Sequence, residues 1–363
     1  MIRKTLAVLA TGFVLTTAVA AQEKTVHVYN WSDYIDPKTL ESFTRETGIK
    51  VVYDTYDNNE IVETKMLAGK SGYDVVVPSG PFIQRLIPTN VLMKLDKSKL
   101  PNLKNMWPEI SERLAVYDPG NLYAVNYMWG TTGFAYNVDQ VAKVLGQEAP
   151  VDSWDILMKP EFSKKLKDCG IYVLDSSEDM FPVLLNYIGL DPDSKQEADI
   201  RKAADALNKV RPEIRKFHSS EYIDMLANGS ICLAIGYSGD LLQAKNRAEE
   251  ANNGVNIIYS IPKEGALIWF DNFVIPADAP HPDEAHAFIN YMMKAEIAAA
   301  NANHVHYASG ALAARELIAE DIRNDPGIYP PDEILKRLFV NTIYDNKTQR
   351  IVTRLWTQIK SGW

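Results

Sequence analysis

The chain contains 363 residues, of which 46% are hydrophobic and 10% aromatic. This composition supports packed cores and excludes wholesale disorder, and the length predicts about two domains at roughly 150 residues each. With 47 acidic and 38 basic side chains the formal charge is −9. That charge argues against nucleic acid or an anionic membrane surface as the main partner and leaves room for cationic ligands.

The amino terminus has the features of an export signal. Arg3 and Lys4 form a basic start, residues 6–19 are predominantly apolar, and small residues suitable for cleavage stand at 18–21. A membrane anchor is the alternative, but the apolar run is shorter than the ~20 residues that a spanning helix needs. We therefore predict a signal peptide over residues 1–21 and a soluble, exported mature chain.

After residue 21, short β-rich runs alternate with amphipathic helical stretches. Strands are predicted, in chain order, at 25–29, 50–53, 73–77, 171–174, 231–235, 255–259 and 266–270. Helices are predicted at 37–46, 60–68, 179–188 and 198–207, followed by a predominantly helical region from Pro282 that ends in an amphipathic segment at 350–360.

This alternation predicts an α/β fold with a largely parallel, doubly wound sheet. Two such units follow each other without a flexible linker. They predict two lobes joined by short crossings at 124–136 and near Val255, with a ligand cleft between the lobes.

The predicted export affects how the two cysteines, Cys169 and Cys232, are interpreted. An even pair in an oxidising compartment predicts a disulfide, which would stabilise the fold by roughly 4 kcal/mol at this loop length. Two buried free thiols are the alternative. A catalytic thiol is disfavoured because both cysteines stand at the entries of predicted strands and not in exposed turns.

The sequence lacks the common signatures of enzymes. There is no G-x-S-x-G nucleophile turn, no phosphate-binding G-x-x-x-x-G-K-[ST] loop and no G-x-G-x-x-G dinucleotide motif. The six histidines form no good zinc pattern, since His281 and His286 are five residues apart and His304 and His306 occupy alternate positions. We therefore predict a protein without catalytic residues, metal or cofactor.

Aromatic and acidic residues follow the predicted strands, where ligands bind to open α/β sheets. The first strand is followed by NWSDY (30–34), the third by Ser79, and two later strands by YSGD (237–240) and by the end of ALIWFDNF (266–273). Aromatic faces suit the methylenes and positive charge of an aliphatic amine, and carboxylates suit its ammonium ends. A sugar or an amino acid is the alternative, although an amino acid needs an arginine or a helix N-terminus for its carboxylate.

Six segments of the chain are distinctive as a set. They are YNWSDYI (29–35), TGIKVVYD (47–54), YDVVVPS (73–79), DKSKLPN (96–102), SIPKEGA (260–266) and DPGIYPP (325–331). Together they resemble the periplasmic putrescine- and spermidine-binding proteins of bacterial ABC importers, over residues 26–363. The resemblance implies a two-lobed class II periplasmic-binding-protein fold, with residues 22–134 and 257–310 in one lobe and residues 135–256 and 311–363 in the other.

The same resemblance implies a function in the periplasm. A monomeric binding protein of this kind captures a polyamine by closing its lobes and delivers it to a membrane permease energised by an ATPase. No catalytic step and no cofactor are implied. Two alternatives remain. The protein could bind another cationic small solute, such as an amino acid, or it could be an exported hydrolase that uses Asp33 and Asp271 as acid and base on an amine-bearing substrate.

Matched residue by residue, the resemblance implies eleven ligand-binding positions. They are Trp31, Ser32, Asp33, Tyr34, Ser79, Asp179, Tyr237, Asp240, Trp269, Asp271 and Tyr307. Glu178 is an alternative to Asp179. Relatives that favour putrescine, the shorter ligand, often carry phenylalanine at the position of Trp269 and tryptophan at that of Tyr237. In this chain the larger ring is at 269 and the smaller ring at 237, which predicts a preference for spermidine over putrescine.

The four acids of this set are expected to act as two pairs. One terminal ammonium is assigned to Asp33 and Asp271, and the other to Asp240 and Asp179. The aromatic rings are expected to enclose the carbon chain between them.

Overall fold

The computed structural model describes residues 24–362, so the predicted signal peptide lies outside the described residues. The strands of the described part are β1 (Thr25–Trp31), β2 (Lys50–Tyr56), β3 (Val75–Val76), β4 (Ala124–Asn137), β5 (Ile171–Val173), β6 (Lys216–Phe217), β7 (Leu233–Tyr237), β8 (Ile257–Ser260), β9 (Leu267–Val274) and β10 (Ala308–Ser309). Its α-helices are α1 (Pro37–Thr47), α2 (Asn59–Ala68), α3 (Gly80–Leu86), α4 (Pro108–Leu114), α5 (Val138–Leu145), α6 (Asp155–Met158), α7 (Pro160–Leu166), α8 (Ser177–Tyr187), α9 (Glu197–Asn208), α10 (Tyr222–Ala227), α11 (Ser238–Ala251), α12 (Pro282–Met292), α13 (Ala295–Val305), α14 (Glu320–Arg323), α15 (Asp332–Leu335) and α16 (Asn346–Ser361). Within this range, none of the helices has the length and apolar character of a membrane-spanning segment.

The strands form one continuous sheet with two similar halves. The order along its main path is β2-β1-β3-β9-β4-β7-β5-β6, and β8 and β10 also pair with β4. β1 pairs in parallel with β2 and β3, and β5 pairs in parallel with β6 and β7, whereas β4 and β9 run antiparallel to their neighbours. Each half is therefore a doubly wound α/β unit, whose ligand-binding loops are expected at the carboxyl ends of its parallel strands.

Three helices begin close to the ends of strands. Ser79 is the N-cap residue of α3, and Tyr237 ends β7 immediately before α11. Ser176 caps α8 by accepting a hydrogen bond from the backbone N–H of Asp179 at 3.3 Å. Because a helix leaves its first N–H groups unpaired, a short polar residue such as Ser176 favours the start of a helix. The transitions place Ser79, Asp179 and Asp240 in first turns and caps that face the cleft.

Buried hydrophobic residues form two clusters, one in each half of the sheet. β4 belongs to both, because residues 124–129 pack in the first cluster and residues 134–136 in the second. In the carboxyl-terminal part, the buried residues from 311 to 338 pack in the first cluster and those from 344 to 359 in the second. The lobe bounds stay a prediction, and on this packing we propose that the last crossing lies between residues 338 and 344.

The predicted disulfide between Cys169 and Cys232 is confirmed, with the two Cα atoms 5.5 Å apart. Cys169 follows α7, and Cys232 immediately precedes β7, which pairs with β5. The bond therefore joins the entries of two neighbouring parallel strands in the second half.

The predicted elements are confirmed with shifts at their ends, and the strand predicted at 73–77 is reduced to Val75–Val76. The prediction of a largely parallel sheet was wrong, because the described strands make four parallel and five antiparallel pairings, most of the latter with β4. Two regions also differ in detail. The predicted crossing at 124–136 is one 14-residue strand, β4, which is buried along its whole length. Trp269 and Asp271, predicted at the end of a strand, lie inside β9. The reason is that β9 continues to Val274 in antiparallel pairing with β3 and β4.

Candidate functional site

All eleven residues predicted for the site line one cavity at the junction of the two hydrophobic clusters. Its volume is about 90 Å³. The first half of the sheet contributes Trp31 and Asp271, and the second half contributes Tyr237 and Asp240. A ligand in this cavity would therefore touch both halves at once.

Asp271, in β9, is almost completely enclosed, with 5% of its surface exposed. The Ser79 hydroxyl donates to Oδ1 at 2.5 Å, and the Tyr34 hydroxyl donates to Oδ2 at 2.9 Å. The amide of Asn59 donates to the Ser79 hydroxyl at 3.0 Å and so fixes its direction. Neutral donors hold the carboxylate but leave its charge uncompensated.

Asp179, in the first turn of α8, is 9% exposed. It accepts hydrogen bonds from the hydroxyls of Tyr237 at 3.2 Å and Thr132 at 3.3 Å, and also from that of Ser176. These donors come from β7, β4 and the helix cap. The position of the carboxylate is thus set by the sheet as well as by its own helix.

Glu178, the alternative to Asp179, also lines the cavity. Its carboxylate lies 3.5 Å from the guanidinium of Arg85, which extends from α3 in the first half. Glu178 therefore already has a cationic partner within the chain, whereas the hydrogen-bond partners of Asp179 are hydroxyls. This difference favours Asp179 as the acid available to a ligand.

Asp240, in the first turn of α11, is partly buried and connects the two halves. The Tyr307 hydroxyl donates to its Oδ1 at 2.7 Å and accepts its backbone N–H at 3.1 Å. The Tyr222 hydroxyl donates to Oδ2 at 2.8 Å. Tyr307 packs in the first hydrophobic cluster and Tyr222 in the second, so Asp240 is held from both sides.

Enclosure raises the pKa of all three carboxyl groups. Burial, together with the charges of Asp179 and Asp240, raises the pKa of Asp271 to about 7, against opposing hydrogen bonds from Ser79 and Tyr34. Burial likewise raises the pKa of Asp179 to about 6 and that of Asp240 to about 6. The three groups disfavour one another's ionisation in the absence of a cation.

The described residues supply no direct counter-cation for these three acids. Within residues 24–362, no ion pair reaches Asp179, Asp240 or Asp271, and no lysine, arginine or histidine lines the cavity. Arg247 acts on Asp240 electrostatically but makes its ion pairs elsewhere. Because an enclosed anion without a partner is costly, the cavity is complementary to a positively charged ligand.

Aromatic rings form much of the cavity wall. Trp269 packs edge-on against Tyr237 and Tyr307, with ring centroids 5.5 and 5.3 Å apart. The indole N–H of Trp31 donates to a backbone carbonyl at 2.9 Å, which fixes that ring. Gly130 lies so close to Trp269 that a Cβ there would stand 2.6 Å from the indole. The walls thus offer π-faces to a carbon chain or a cation.

Ser32 and Asp33 lie at the rim of the cavity, in the turn after β1. The Ser32 hydroxyl donates to Asp57 at 2.8 Å. Asp33 has a φ of 52°, and its side chain is 65% exposed with its carboxylate 3.9 Å from Arg247 of α11. Asp33 therefore faces the second half from the first across the entrance.

Sequence reasoning missed three hydroxyl donors: Tyr222, Thr132 and Ser176. Tyr222 lies in α10 and Thr132 in the middle of β4, and neither position carries a signal in a single sequence. Ser176 has one, because a serine three residues before an acid and ahead of an apolar run is typical of a helix N-cap. Of the seven hydroxyls of the described residues that donate to the three acids, those of Tyr34, Ser79, Tyr237 and Tyr307 therefore belong to the predicted set, and three do not.

Residues 38–330 match the family described as bacterial extracellular solute-binding protein. The chain belongs to this family. Its members bind solutes and are not enzymes, which confirms the predicted binding role.

Individual relatives of this solute-binding protein match it over nearly its whole length. The putrescine-binding periplasmic protein PotF of Escherichia coli (strain K12) is 51% identical over 99% of this chain and 98% of the relative. The putrescine-binding periplasmic protein SpuD of Pseudomonas aeruginosa is 54% identical over 98% of this chain and 97% of the relative. Among solved structures, a putative spermidine/putrescine ABC transporter from Listeria monocytogenes matches with a TM-score of 0.83 and 34% identity, over 93% of this chain and 99% of that chain. The resemblance to periplasmic polyamine-binding proteins and the predicted fold class are thereby confirmed.

Proposed function

We propose that this solute-binding protein captures a polyamine in the periplasm and delivers it to an ABC importer. The observation that carries the proposal is the set of three enclosed carboxylates, Asp179, Asp240 and Asp271, held by hydroxyls and without a direct cationic partner in the described chain. A polyamine places ammonium groups along an apolar chain, which fits acids separated by aromatic walls. Putrescine-binding relatives at 51% and 54% identity support the same ligand class.

An amino acid fits this cavity less well than an amine without a carboxylate. The α-carboxylate of an amino acid needs an arginine, a lysine or a free helix N-terminus. No basic side chain of the described residues lines the cavity, and the first turns of α8 and α11 present Asp179 and Asp240. The like charges would oppose binding.

We place the two ammonium ends according to the electrostatic neighbours of the acids. Asp271 interacts with the charges of Asp179 and Asp240, whereas Asp33 interacts with that of Asp240. One ammonium would therefore lie between Asp271 and Asp179, and the other near Asp240 and Asp33. This placement replaces the pairing of Asp33 with Asp271 suggested by the sequence.

Two observations bear on the choice between spermidine and putrescine, and each favours a different ligand. The large ring of Trp269 and the smaller ring of Tyr237 led to the predicted preference for spermidine. The relatives at 51% and 54% identity are named for putrescine. We propose that the cavity binds both, and that Trp269 is the residue that favours spermidine.

Replacing Trp269 by phenylalanine is expected to lower the ratio of spermidine to putrescine affinity by about 3- to 30-fold, the value of one cation–π contact. The reason is that phenylalanine offers a smaller π-face to the extra aminopropyl arm. Competition between the two polyamines, followed by calorimetry, measures the ratio in the wild type and in the variant. An unchanged ratio would remove Trp269 from the selectivity argument.

We further infer that residues 1–21 direct export, that the mature protein is monomeric, and that its partners are a permease and an ATPase. The periplasmic names of the relatives and the ABC-transporter name of the matched structure support this setting. Amino-terminal sequencing of the protein from a periplasmic extract tests the cleavage. A mature chain that still begins at Met1 would contradict it.

A thermal-shift screen tests the proposed ligand class. The protein is first unfolded and refolded, because a tightly bound polyamine can survive purification. Putrescine and spermidine are expected to raise the melting temperature, and lysine and arginine at the same concentration are expected to leave it unchanged. Stabilisation by the amino acids alone would reject the polyamine assignment.

A further inference from the structure

A second group of polar side chains lies away from the cavity. It consists of His27 in β1, Asp74 immediately before β3, and His281 immediately before α12. None of the three lines the cavity. His27 stands near the amino end of β1, whereas Trp31, which does line the cavity, ends the same strand. The histidine–aspartate group therefore lies at the opposite end of β1 from the cavity.

The three side chains converge on one carboxylate oxygen. The Nδ1 atoms of His27 and His281 lie 3.3 and 3.1 Å from Oδ2 of Asp74, and the candidate ligand atoms of the group all lie within 4.8 Å of one another. A tetrahedral zinc ion with bonds of about 2.0–2.2 Å to nitrogen and oxygen separates its ligand atoms by about 3.3 Å. Two of the three ligand spacings thus match a tetrahedral site without rearrangement.

Oδ2 of Asp74 lies within hydrogen-bond distance of three nitrogen atoms. It accepts the backbone N–H of His27 at 2.8 Å, and the Nδ1 atoms of His27 and His281 lie 3.3 and 3.1 Å from it. A carboxylate oxygen accepts about two hydrogen bonds. A metal ion bound by both Nδ1 atoms and by Oδ2 would leave Oδ2 with one hydrogen bond and one metal bond. The ring nitrogens would then act as neutral ligands.

The carboxylate is also oriented and supported as metal ligands usually are. Asp74 is fully buried, and its Oδ1 accepts the backbone N–H of His281 at 2.6 Å. The side chains of His27 and His281 are 32% and 34% exposed, and their ring centroids are 5.6 Å apart. A fixed carboxylate under two accessible imidazoles gives three protein ligands and an open side for water.

We propose that His27, Asp74 and His281 bind one divalent transition-metal ion, with zinc as the probe and water as the fourth ligand. Imidazole and carboxylate ligands in tetrahedral arrangement suit zinc, and copper or nickel would compete for the same donors. The bound ion would cross-link the start of β1 to the start of α12, because His27 lies in β1 and His281 immediately precedes α12.

Titration of the untagged, chelator-treated full protein with zinc chloride tests the proposal. We expect one zinc ion per chain, an increase in melting temperature, and the visible absorption bands of a tetrahedral site when cobalt replaces zinc. The variants His27→Gln and His281→Gln are each expected to weaken zinc binding by at least about tenfold, and to leave polyamine binding unchanged. Both retain the buried Asp74, so they avoid the folding risk of changing that residue.

His304→Gln is the matched control, because His304 is an exposed histidine on α13 outside the group. It is expected to bind zinc like the wild type. The proposal is overturned if the wild-type protein binds no zinc at one equivalent, which would make the group a hydrogen-bonded cluster only. It is also overturned if His27→Gln and His281→Gln bind zinc as tightly as His304→Gln.

Discussion

Replacing Asp271 by asparagine is expected to weaken polyamine binding by at least about 30-fold, since removal of one partner from an enclosed charge pair costs about 2–5 kcal/mol. Asp271 is the acid with the smallest exposure in the cavity, and its other contacts are the hydroxyls of Ser79 and Tyr34. An asparagine of the same shape keeps an acceptor for one hydroxyl but has no charge for an ammonium. Calorimetric titration of the ligand-free variant with putrescine and spermidine measures the loss.

The same substitution is expected to weaken ligand binding without lowering the stability of the ligand-free protein. The raised pKa of Asp271 means that the ligand-free fold disfavours the ionised carboxylate. The asparagine side chain is uncharged, so the free energy of unfolding of the ligand-free variant at pH 7.5 is expected to be no lower than that of the wild type. Asp139→Asn, an exposed position on α5, is the control with the same change in net charge, and its polyamine affinity should be unchanged. Comparable losses of affinity in both variants would assign the effect to net charge instead of to the site.

Polyamine affinity is expected to rise by at least on the order of 100-fold between pH 5 and pH 7.5, because protonated carboxyls must release their protons before they can pair with ammonium groups. The pKa values of about 7 for Asp271 and about 6 for Asp179 and Asp240 place this change within that range. Polyamine amines stay protonated throughout it. Calorimetry across the pH range measures the slope, and a flat profile would contradict the assignment of these acids to the ligand.

Ligand-free stability is expected to change in the reverse direction. A carboxyl whose pKa is raised in the folded state binds more protons when folded than when unfolded, so the free energy of unfolding falls as pH increases from about 4 to about 7. Saturating polyamine should remove this fall, because the ammonium groups compensate the ionised acids. Denaturant unfolding at several pH values, with and without spermidine, tests this linkage. Asp271→Asn should show a smaller fall than the wild type.

The fold and several cavity-lining residues could be predicted from local patterns, whereas Asp179 and Tyr307 came from the family resemblance alone. Alternation of apolar residues identifies the strands, and the residues after strand ends, such as Asp33, Ser79 and Asp240, lie where a doubly wound sheet exposes its loops. Trp269 and Asp271 line the cavity, but the prediction that they stand at the end of a strand was wrong, since they lie within β9. A single sequence does not reveal that an antiparallel strand passes through the junction of two halves.

The remaining features arise from contacts between distant segments. Tyr222 reaches Asp240 from another helix, and no local pattern marks it. Sequence spacing compared His281 with His286, yet the Nε2 of His286 accepts the backbone N–H of Asp96 at 2.9 Å. His281 instead lies next to Asp74, 207 residues earlier in the chain, and both group with His27. Such groups form only in the tertiary structure and cannot be recognised from the spacing of residues along the sequence.

Calorimetric titration of the refolded, ligand-free protein with spermidine and putrescine at pH 6, in buffers with different heats of ionisation, tests the central claim most directly. We predict saturable one-to-one binding of both polyamines with release of protons, because the raised pKa values leave the acids partly protonated at this pH. Binding without proton release, or the absence of binding by either polyamine, would contradict the account.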